Sequence, residues 1–328
     1  MDRMTLIALV ALAALMAWPR SGMAAPIEYW TTHALDKLFP DSAKPADAPT
    51  AIALKLARNE TEDAQVAVRT PIGVEVSQAA FTFTDLAGPG GAVLTKDHLN
   101  AWWVWYTYVL NNPKANLDPA TCLRKAPGFF PDAFLESKTA RIRDEWTQPL
   151  WVSVTAPKGT PPGEYTGTLG IDLQTDKGPE HIDVPLTVTV WPFTLPDEPH
   201  LHHTEWFSHG GLADYYRVEL WSEAHWTWIG RVAADMAKHK QDTILTPFSA
   251  LVDVTGTSPD TLTFTFTRLD RWVETFKNAG VTWIEGGHVG GREGGWESQI
   301  VWARFPILGV DTSAAAMTEE AFEPYMEA

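Results

Sequence analysis

Hydrophobic and polar residues alternate along much of the chain between residues 51 and 191. A period of two with β-branched and aromatic residues is typical of strands that bury one face. Turn residues at 161–164 separate two of these strands, and an irregular insertion spans about 111–140. The pattern predicts an antiparallel β-sandwich over residues 25–195. The clearest alternating runs are residues 65–69, 151–154 and 184–190.

The pattern changes at residues 191–199, where three prolines fall within nine positions. Proline blocks both a helix interior and a central strand, so we place the domain boundary here. Beyond it, Ser222 is a predicted helix N-cap, with Trp221 and Trp226 at the positions of a hydrophobic staple, and Gly280 is a predicted helix stop. The apolar residues with helical spacing are Ile229, Val232, Ala233 and Met236 in one helix, and Leu269, Trp272, Val273 and Phe276 in the next.

Strand-like segments flank these two helices, and a hairpin is predicted between residues 251 and 266. The resulting β-α-β-α-β order implies parallel strands with right-handed crossovers. A barrel and an open α/β sheet both fit this order. The three predicted strands are residues 203–207, 243–247 and 281–285.

Candidate binding residues fall at the carboxyl ends of these predicted strands. In either architecture, ligands gather at the carboxyl ends of parallel strands. Residues 283–292 contain four glycines together with a carboxylate, an imidazole and a guanidinium, and glycine lets a ligand approach the backbone closely. The alternative is a mobile turn with solvated charges. The candidate substrate-binding residues are Trp206, His209, Glu285, His288 and Arg292.

The charge balance narrows the classes of partner. The chain has 25 basic and 41 acidic residues and a net charge of −16. This balance argues against the basic surface that nucleic-acid binding needs, and it disfavours binding to anionic membranes. The 16 tryptophans suit core packing, and some of them suit stacking on sugar rings. Cys122 is the only cysteine, so no intrachain disulfide and no cysteine-based zinc cluster is possible.

The start of the chain has the pattern of a secretory signal peptide. Arg3 precedes an apolar run at residues 6–17, and small residues follow at 21–25. We predict a signal peptide over residues 1–24, cleavage after Ala24, and a secreted or periplasmic protein without stable membrane insertion after cleavage. The apolar run is short for a bilayer crossing of about 20 residues, and an uncleaved anchor is the alternative.

The sequence gives only weak signals for a metal site or for a serine nucleophile. His200, His202 and His203 are closely spaced, but the sequence places no further ligand beside them. Ser208 and His209 are adjacent residues, which seldom aim at each other, and no Gly-x-Ser-x-Gly motif occurs. We therefore predict no metal and no cofactor.

Most glycoside hydrolases use a pair of carboxylic acid side chains to cleave the glycosidic bond. Asp144-Glu145 lies before Trp146 in the β domain, where a solvated loop explains it. Asp197-Glu198 lies in the proline-rich linker, where a stiff exposed connection explains the pair at least as well as a catalytic role does.

Several motifs, in their order along the chain, resemble glycoside hydrolase family 123 and related catalytic domains of unknown function. Residues 58–65 resemble the early signature of the family's N-terminal β domain, and residues 149–154 and 162–167 resemble its later strands. The Leu195-Pro196 linker and residues 266–292 are also similar to that family.

The resemblance implies an exo-acting hydrolase of β-linked N-acetylgalactosamine, or of a related sugar, with a β-sandwich before a (β/α)8 barrel. It also implies substrate-assisted retention, in which an aspartate orients the 2-acetamido group and the adjacent glutamate protonates the leaving oxygen. On this basis we predict that residues 196–328 form the first part of an incomplete (β/α)8 TIM-type barrel. In such a protein Trp206 would stack on a sugar ring, Glu285 and His288 would bind hydroxyls, and Arg292 would fix Glu285 or contact an acidic substituent.

The chain departs from the family pattern in one respect. The family's Asp-Glu pair follows a later strand, so Asp197-Glu198-Pro199 comes too early, and we assign no catalytic residue. Residues 200–328 amount to about half of the ~250 residues that a barrel needs. The leading hypothesis is the N-terminal part of an exported glycosidase with its acid pair beyond Ala328. The alternatives are a non-catalytic carbohydrate-binding or envelope protein and a hydrolase acting on a different sugar.

This hypothesis predicts little hydrolytic activity for the 328-residue chain, because it expects the catalytic acid pair to lie beyond Ala328. The measurement is release of nitrophenol from nitrophenyl N-acetyl-β-galactosaminide. Robust release by the purified chain would contradict the prediction.

Overall fold

The computed structural model describes residues 25–112, 122–292 and 294–328. The predicted signal peptide, residues 1–24, lies outside the described residues. The chain folds into two compact units, with the division between Pro196 and Asp197. No helix in the described part of the chain is both long enough and apolar enough to span a bilayer.

The first unit is built from two β-sheets. One has five strands in the order β1-β3-β10-β7-β8, and the other has the order β2-β12-β11-β4-β9 with the short strands β5 and β6 attached. The strands are β1 Glu28–His33, β2 Ile52–Arg58, β3 Glu60–Arg69, β4 Val76–Phe83, β5 Leu86–Ala87, β6 Val93–Leu94, β7 Leu99–Val109, β8 Gly128–Phe134, β9 Ala140–Ile142, β10 Thr147–Ala156, β11 Gly163–Thr175 and β12 Gly178–Thr194.

The two sheets share one hydrophobic core, to which their alternating side chains contribute. Val66 and Val152 come from one sheet and Leu169 and Val188 from the other, and all four are fully buried. The sequence pattern of period two produces this arrangement, because every second side chain of a strand points to the same face.

Two features of this unit differ from the prediction. The antiparallel sandwich is mixed, because β12 pairs with β2 in parallel. The insertion predicted to be irregular contains β8, which pairs with β7 and is therefore held by backbone hydrogen bonds that the local sequence pattern does not reveal. Residues 113–121 of that insertion lie outside the described residues.

The second unit combines helices with short strands. The helices are α1 His209–Tyr216, α2 Glu223–Lys238, α3 Phe248–Leu251, α4 Thr267–Ala279 and α5 Glu319–Glu327. The strands are β13 Thr243–Thr246, β14 Asp253–Thr255, β15 Thr263–Thr265, β16 Trp283–Gly286, β17 Gly290–Arg292, β18 Ile300–Trp302 and β19 Ile307–Leu308.

The helix signals in the sequence are confirmed. The Ser222 hydroxyl accepts a hydrogen bond from the backbone N–H of His225 and caps α2. Trp221 and Trp226 pack across this cap with ring centroids 5.5 Å apart. Gly280 ends α4 with a φ of 109°, a left-handed conformation that favours glycine. The buried side chains of the second unit's core are Trp226, Ile229, Ala233, Ile244, Leu251, Trp272, Phe276 and Val281.

The prediction of an incomplete (β/α)8 barrel is wrong. Of the three predicted parallel strands, only β13 and β16 pair as strands, while segment 203–207 contributes one bridge, from Thr204 to Thr243. The predicted hairpin is confirmed as β14 and β15, and β19 extends it into a separate three-stranded sheet. Within the described residues, the chain after β16 forms the β17–β18 hairpin, the short strand β19 and the terminal helix α5, and this order does not continue the alternation of parallel strands and helices that a barrel needs.

A histidine on the surface of the first unit lies between two carboxylates. His181 Nδ1 is 2.7 Å from Asp172 Oδ1, and Nε2 is 3.1 Å from Asp183 Oδ1. The hydrogen bond to Asp172, and then that to Asp183, raises the pKa of His181. Because the folded-state pKa lies above the unfolded value, the imidazolium stabilises the fold fully below the unfolded pKa, and this contribution is lost as the pH rises through the folded pKa.

We expect His181→Gln to destabilise the protein more at pH 5.5 than at pH 9, as measured by the midpoint of urea unfolding. The reason is that only the protonated imidazole donates to both carboxylates. In the Asp172→Asn/Asp183→Asn background the pH-dependent part of the effect should disappear. An equal effect of His181→Gln at both pH values would rule out this explanation.

Candidate substrate-binding site

The candidate site lies where two parallel strands end. β13 and β16 pair in parallel, with Thr246 opposite Gly286, so their carboxyl ends share one edge. The chain continues from β16 into Gly287, which passes close to β13. A Cβ at Gly287 would lie 2.8 Å from the backbone oxygen of Thr246, so the loop can take this path only with glycine at that position.

Three of the predicted site residues come together at this edge. Trp206 Nε1 donates a hydrogen bond of 3.0 Å to Glu285 Oε2. The rings of Trp206 and His288 meet edge to face, with centroids 5.4 Å apart and planes at 80°. Trp206 is 58% exposed, Glu285 is half-buried and His288 is exposed, so the group is open to a ligand. We call Trp206, Glu285 and His288 the indole–carboxylate site.

Two cavities of about 410 Å³ each meet at His288. The first is lined by His288, Arg292, Trp296, Ile300 and four glycines. The second has a mostly apolar lining, which includes Leu245, Pro247, Phe248, Val254, Phe264 and Phe305. His288 therefore borders a glycine-rich cavity with Arg292 on its wall and a second, apolar cavity.

Arg292 lies at the far end of the glycine segment. It ends β17, which pairs with β18, and its guanidinium donates to the backbone carbonyl of Ser298 in the same hairpin. The structure thus places Arg292 on the wall of the first cavity, which it shares with His288.

His209 belongs to an aromatic cluster at the start of α1. Its ring stacks on Trp221, with centroids 5.0 Å apart, and meets the edge of Trp272 at 6.4 Å. Burial, and then the nearby His225, lower the pKa of His209. His225 is fully buried and lies 3.0 Å, through Nε2, from the backbone oxygen of His209. These contacts give His209 a packing role in the second unit.

The residues considered for serine and carboxylate chemistry lie at a helix cap or at exposed positions. The hydroxyl of Ser208 accepts from the backbone N–H of Gly211 and caps α1. The acid pairs 144–145 and 197–198 are exposed. Across residues 25–112, 122–292 and 294–328, no group of three histidine, cysteine, aspartate or glutamate residues is arranged to hold a metal ion.

Two buried polar residues near the site were not found from the sequence. Gln241 and Asp242 precede β13 and are 4% and 7% exposed. Desolvation raises the pKa of Asp242, but hydrogen bonds from His202, from the backbone of His203 and from Thr243 outweigh it, so the pKa is lowered. In the sequence they are only a polar pair directly before β13, and nothing in that pattern indicates that they are buried.

The chain resembles a solved structure at the level of the fold. A family 123 glycoside hydrolase from Clostridium perfringens aligns with a TM-score of 0.63 and 14% identity, over 78% of this chain and 46% of that chain. The present chain thus spans less than half of that protein. The fimbrial subunit AggA from Escherichia coli aligns with a TM-score of 0.27 and 15% identity, over 51% of this chain and 95% of that one. The PapD-like domain 7 of human CEP192 also scores 0.27, with 9% identity over 46% and 93% of the two chains. Scores of 0.27 do not support a shared fold.

A comparison with curated proteins gives no match. Two family models match consecutive parts of the chain. The Glycoside hydrolase 123 N-terminal domain matches residues 37–173, and the Glycoside hydrolase 123 catalytic domain matches residues 206–289. The second match begins at Trp206 and ends just after His288, so it contains the indole–carboxylate site. Together the matches cover about two thirds of the chain, and the chain belongs to glycoside hydrolase family 123.

Proposed function

We propose that this chain is a glycoside hydrolase, or the part of one, that holds a sugar residue at the indole–carboxylate site. The observation that carries the proposal is the hydrogen bond from Trp206 to Glu285 at the shared end of two parallel strands. Membership of family 123 supports glycoside hydrolysis as the reaction.

Each member of the site supplies a different contact. Trp206 uses its one N–H on Glu285, and its exposed ring offers an apolar face for the C–H face of a sugar. A carboxylate has about four lone-pair positions, so Glu285 keeps acceptors for sugar hydroxyls. His288 borders both cavities and offers a ring nitrogen to the same ligand.

We further propose β-linked N-acetylgalactosamine as the sugar. The family resemblance supports this choice, and the related Clostridium perfringens enzyme is described as acting in glycolipid glycan hydrolysis. The proposed reaction is substrate-assisted: the acetamido oxygen attacks the anomeric carbon while an acid protonates the leaving oxygen. The site residues described above bind and orient the sugar, and none of them is assigned the acid role.

We also propose export of the protein, on the signal-peptide pattern of residues 1–24. The compartment would be the periplasm or the medium. Detection of mature protein that begins at Ala25 in either place would test it.

The test of sugar binding is a calorimetric titration of the chain with methyl N-acetyl-β-galactosaminide. We expect Trp206→Ala to weaken binding about tenfold or more, because the stacking surface is lost. Glu285→Gln should weaken it about tenfold, because hydrogen bonds to a charged acceptor contribute roughly 1.5–3 kcal/mol and those to a neutral acceptor about 1 kcal/mol.

Matched controls are Trp105→Ala, which removes a similarly exposed indole from the first unit, and Glu274→Gln, on the exposed side of α4. Both should bind as the wild type does. Absence of saturable binding by the wild type, or equal affinity in the site variants and their controls, would refute the proposal.

The glycine loop gives a second test with a matched pair. Gly287→Ala places a Cβ 2.8 Å from the Thr246 oxygen, so the loop must shift, whereas a Cβ at Gly291 meets no atom within 4 Å. We expect Gly287→Ala to destabilise the second unit by about 1–3 kcal/mol and to weaken sugar binding. Gly291→Ala should leave the stability of the second unit unchanged, because its Cβ meets no atom. The measurements are thermal unfolding and the same titration, and equal effects of the two substitutions would contradict the proposed loop path.

A further inference from the structure

The segment that carries Trp206 is held weakly by its own backbone. Residues 203–207 were predicted to form a strand, yet they make a single parallel bridge, Thr204 to Thr243. Beside it, the backbone N–H of Thr243 donates to the His203 oxygen at 3.1 Å. A two-stranded ladder contains several such bonds, so other groups must fix this segment.

Asp242 is the first of these groups. Its Oδ1 accepts from the backbone N–H of His203 at 2.8 Å and from the hydroxyl of Thr243 at 2.9 Å. Its Oδ2 is 2.7 Å from His202 Nδ1. The backbone oxygen of Asp242 accepts from the N–H of Trp283, the first residue of β16, at 2.9 Å. One buried residue thus holds both the segment that leads to Trp206 and the strand that carries Glu285.

Gln241 is the second group that fixes this segment. Its side-chain amide donates to the backbone oxygens of Glu205 at 3.1 Å and of Thr243 at 2.9 Å. The carbonyl of Glu205 lies in the same planar peptide unit as the N–H of Trp206, so fixing that oxygen fixes the plane from which the indole extends. Here a side-chain amide takes the place of the next backbone bond of a strand pair.

We infer that Gln241 and Asp242 are positioning residues that set the place of the Trp206 indole relative to Glu285. The inference rests on the proposed function for its link to sugar binding. Both side chains are buried, each makes a hydrogen bond to the backbone of the Trp206-bearing segment, and neither lines the two cavities at His288. A purely stabilising role would leave the indole in place in any variant that still folds.

The experiment observes Trp206 directly by ¹⁵N NMR of the indole N–H groups, with the Trp206 resonance assigned through Trp206→Phe. The test variants are Gln241→Met, which keeps the side-chain length without the amide, and Asp242→Asn, which keeps one acceptor oxygen for His203. We expect the Trp206 resonance to shift and its hydrogen exchange with solvent to accelerate. The resonances of Trp103 and Trp226, buried in the cores of the first and second units, should stay unchanged.

The same variants are titrated with methyl N-acetyl-β-galactosaminide. We expect about a tenfold loss of affinity for Gln241→Met and a smaller loss for Asp242→Asn, because the latter keeps part of its hydrogen bonding. The matched controls are Gln78→Met and Asp235→Asn, at exposed positions of β4 and α2, and both should behave as the wild type does.

The outcomes separate the two proposals. If the wild type binds no sugar but the Trp206 resonance moves in the test variants, the proposed function fails and the positioning role stands. If the variants fold with the Trp206 resonance and the sugar affinity of the wild type, the positioning role is overturned. Should Asp242→Asn fail to fold, the test uses Gln241→Met together with His202→Ala, which removes only one partner of Asp242. An unchanged Trp206 resonance in both of these variants would overturn the positioning role.

Discussion

The parallel pairing of β13 and β16 is the constraint on which the candidate site depends. Parallel strands end at the same edge, so the residues that follow them must share the space there. Leu245 lies opposite Glu285, and the next pair is Thr246 with Gly286. Glycine at position 287 then lets the outgoing chain pass the Thr246 carbonyl. The positions of Glu285 and His288 follow from this short ladder.

A ladder of two four-residue strands is too short to be stable by itself. Packing supplies part of what is missing, since Ile244 of β13 lies in the core formed by α2 and α4. Buried hydrogen bonds supply the rest. The carboxylate of Asp242 has three donors within 2.9 Å, which offsets the free energy of taking a charge out of water. Removing one partner of such a group costs more than the bond itself contributes, because the buried carboxylate is left without that donor, so the network is sensitive to the loss of any one partner.

The sequence was a good guide to structure wherever the deciding interaction was local. Ser222 begins α2 and Gly280 ends α4 through contacts with residues three or four positions away. Such signals can be read from a short stretch of sequence. The barrel prediction failed because closure depends on pairings between distant segments. The site could be predicted in part, because Trp206, Glu285 and His288 fall at the carboxyl ends of predicted strands. Their contact could not be predicted, because it depends on pairings between segments that are distant in sequence. Gln241 was not predictable, because its amide bonds to backbone oxygens leave no periodic pattern.

The division of hydrogen-bonding capacity within the site limits the kind of ligand that it can hold. Trp206 has a single N–H, which Glu285 occupies, so the indole contributes apolar surface and shape to a ligand. Polar contacts to the ligand must then come from the other members of the site. Of these, Glu285 is an acceptor that selects hydroxyl or amide donors. A ligand with an apolar face on one side and donors along its edge satisfies both groups, and a pyranose ring has this form. An anionic ligand would instead meet the carboxylate at close range in a chain with a net charge of −16. The pairing of an exposed indole with a fixed carboxylate therefore favours a neutral sugar over a charged one.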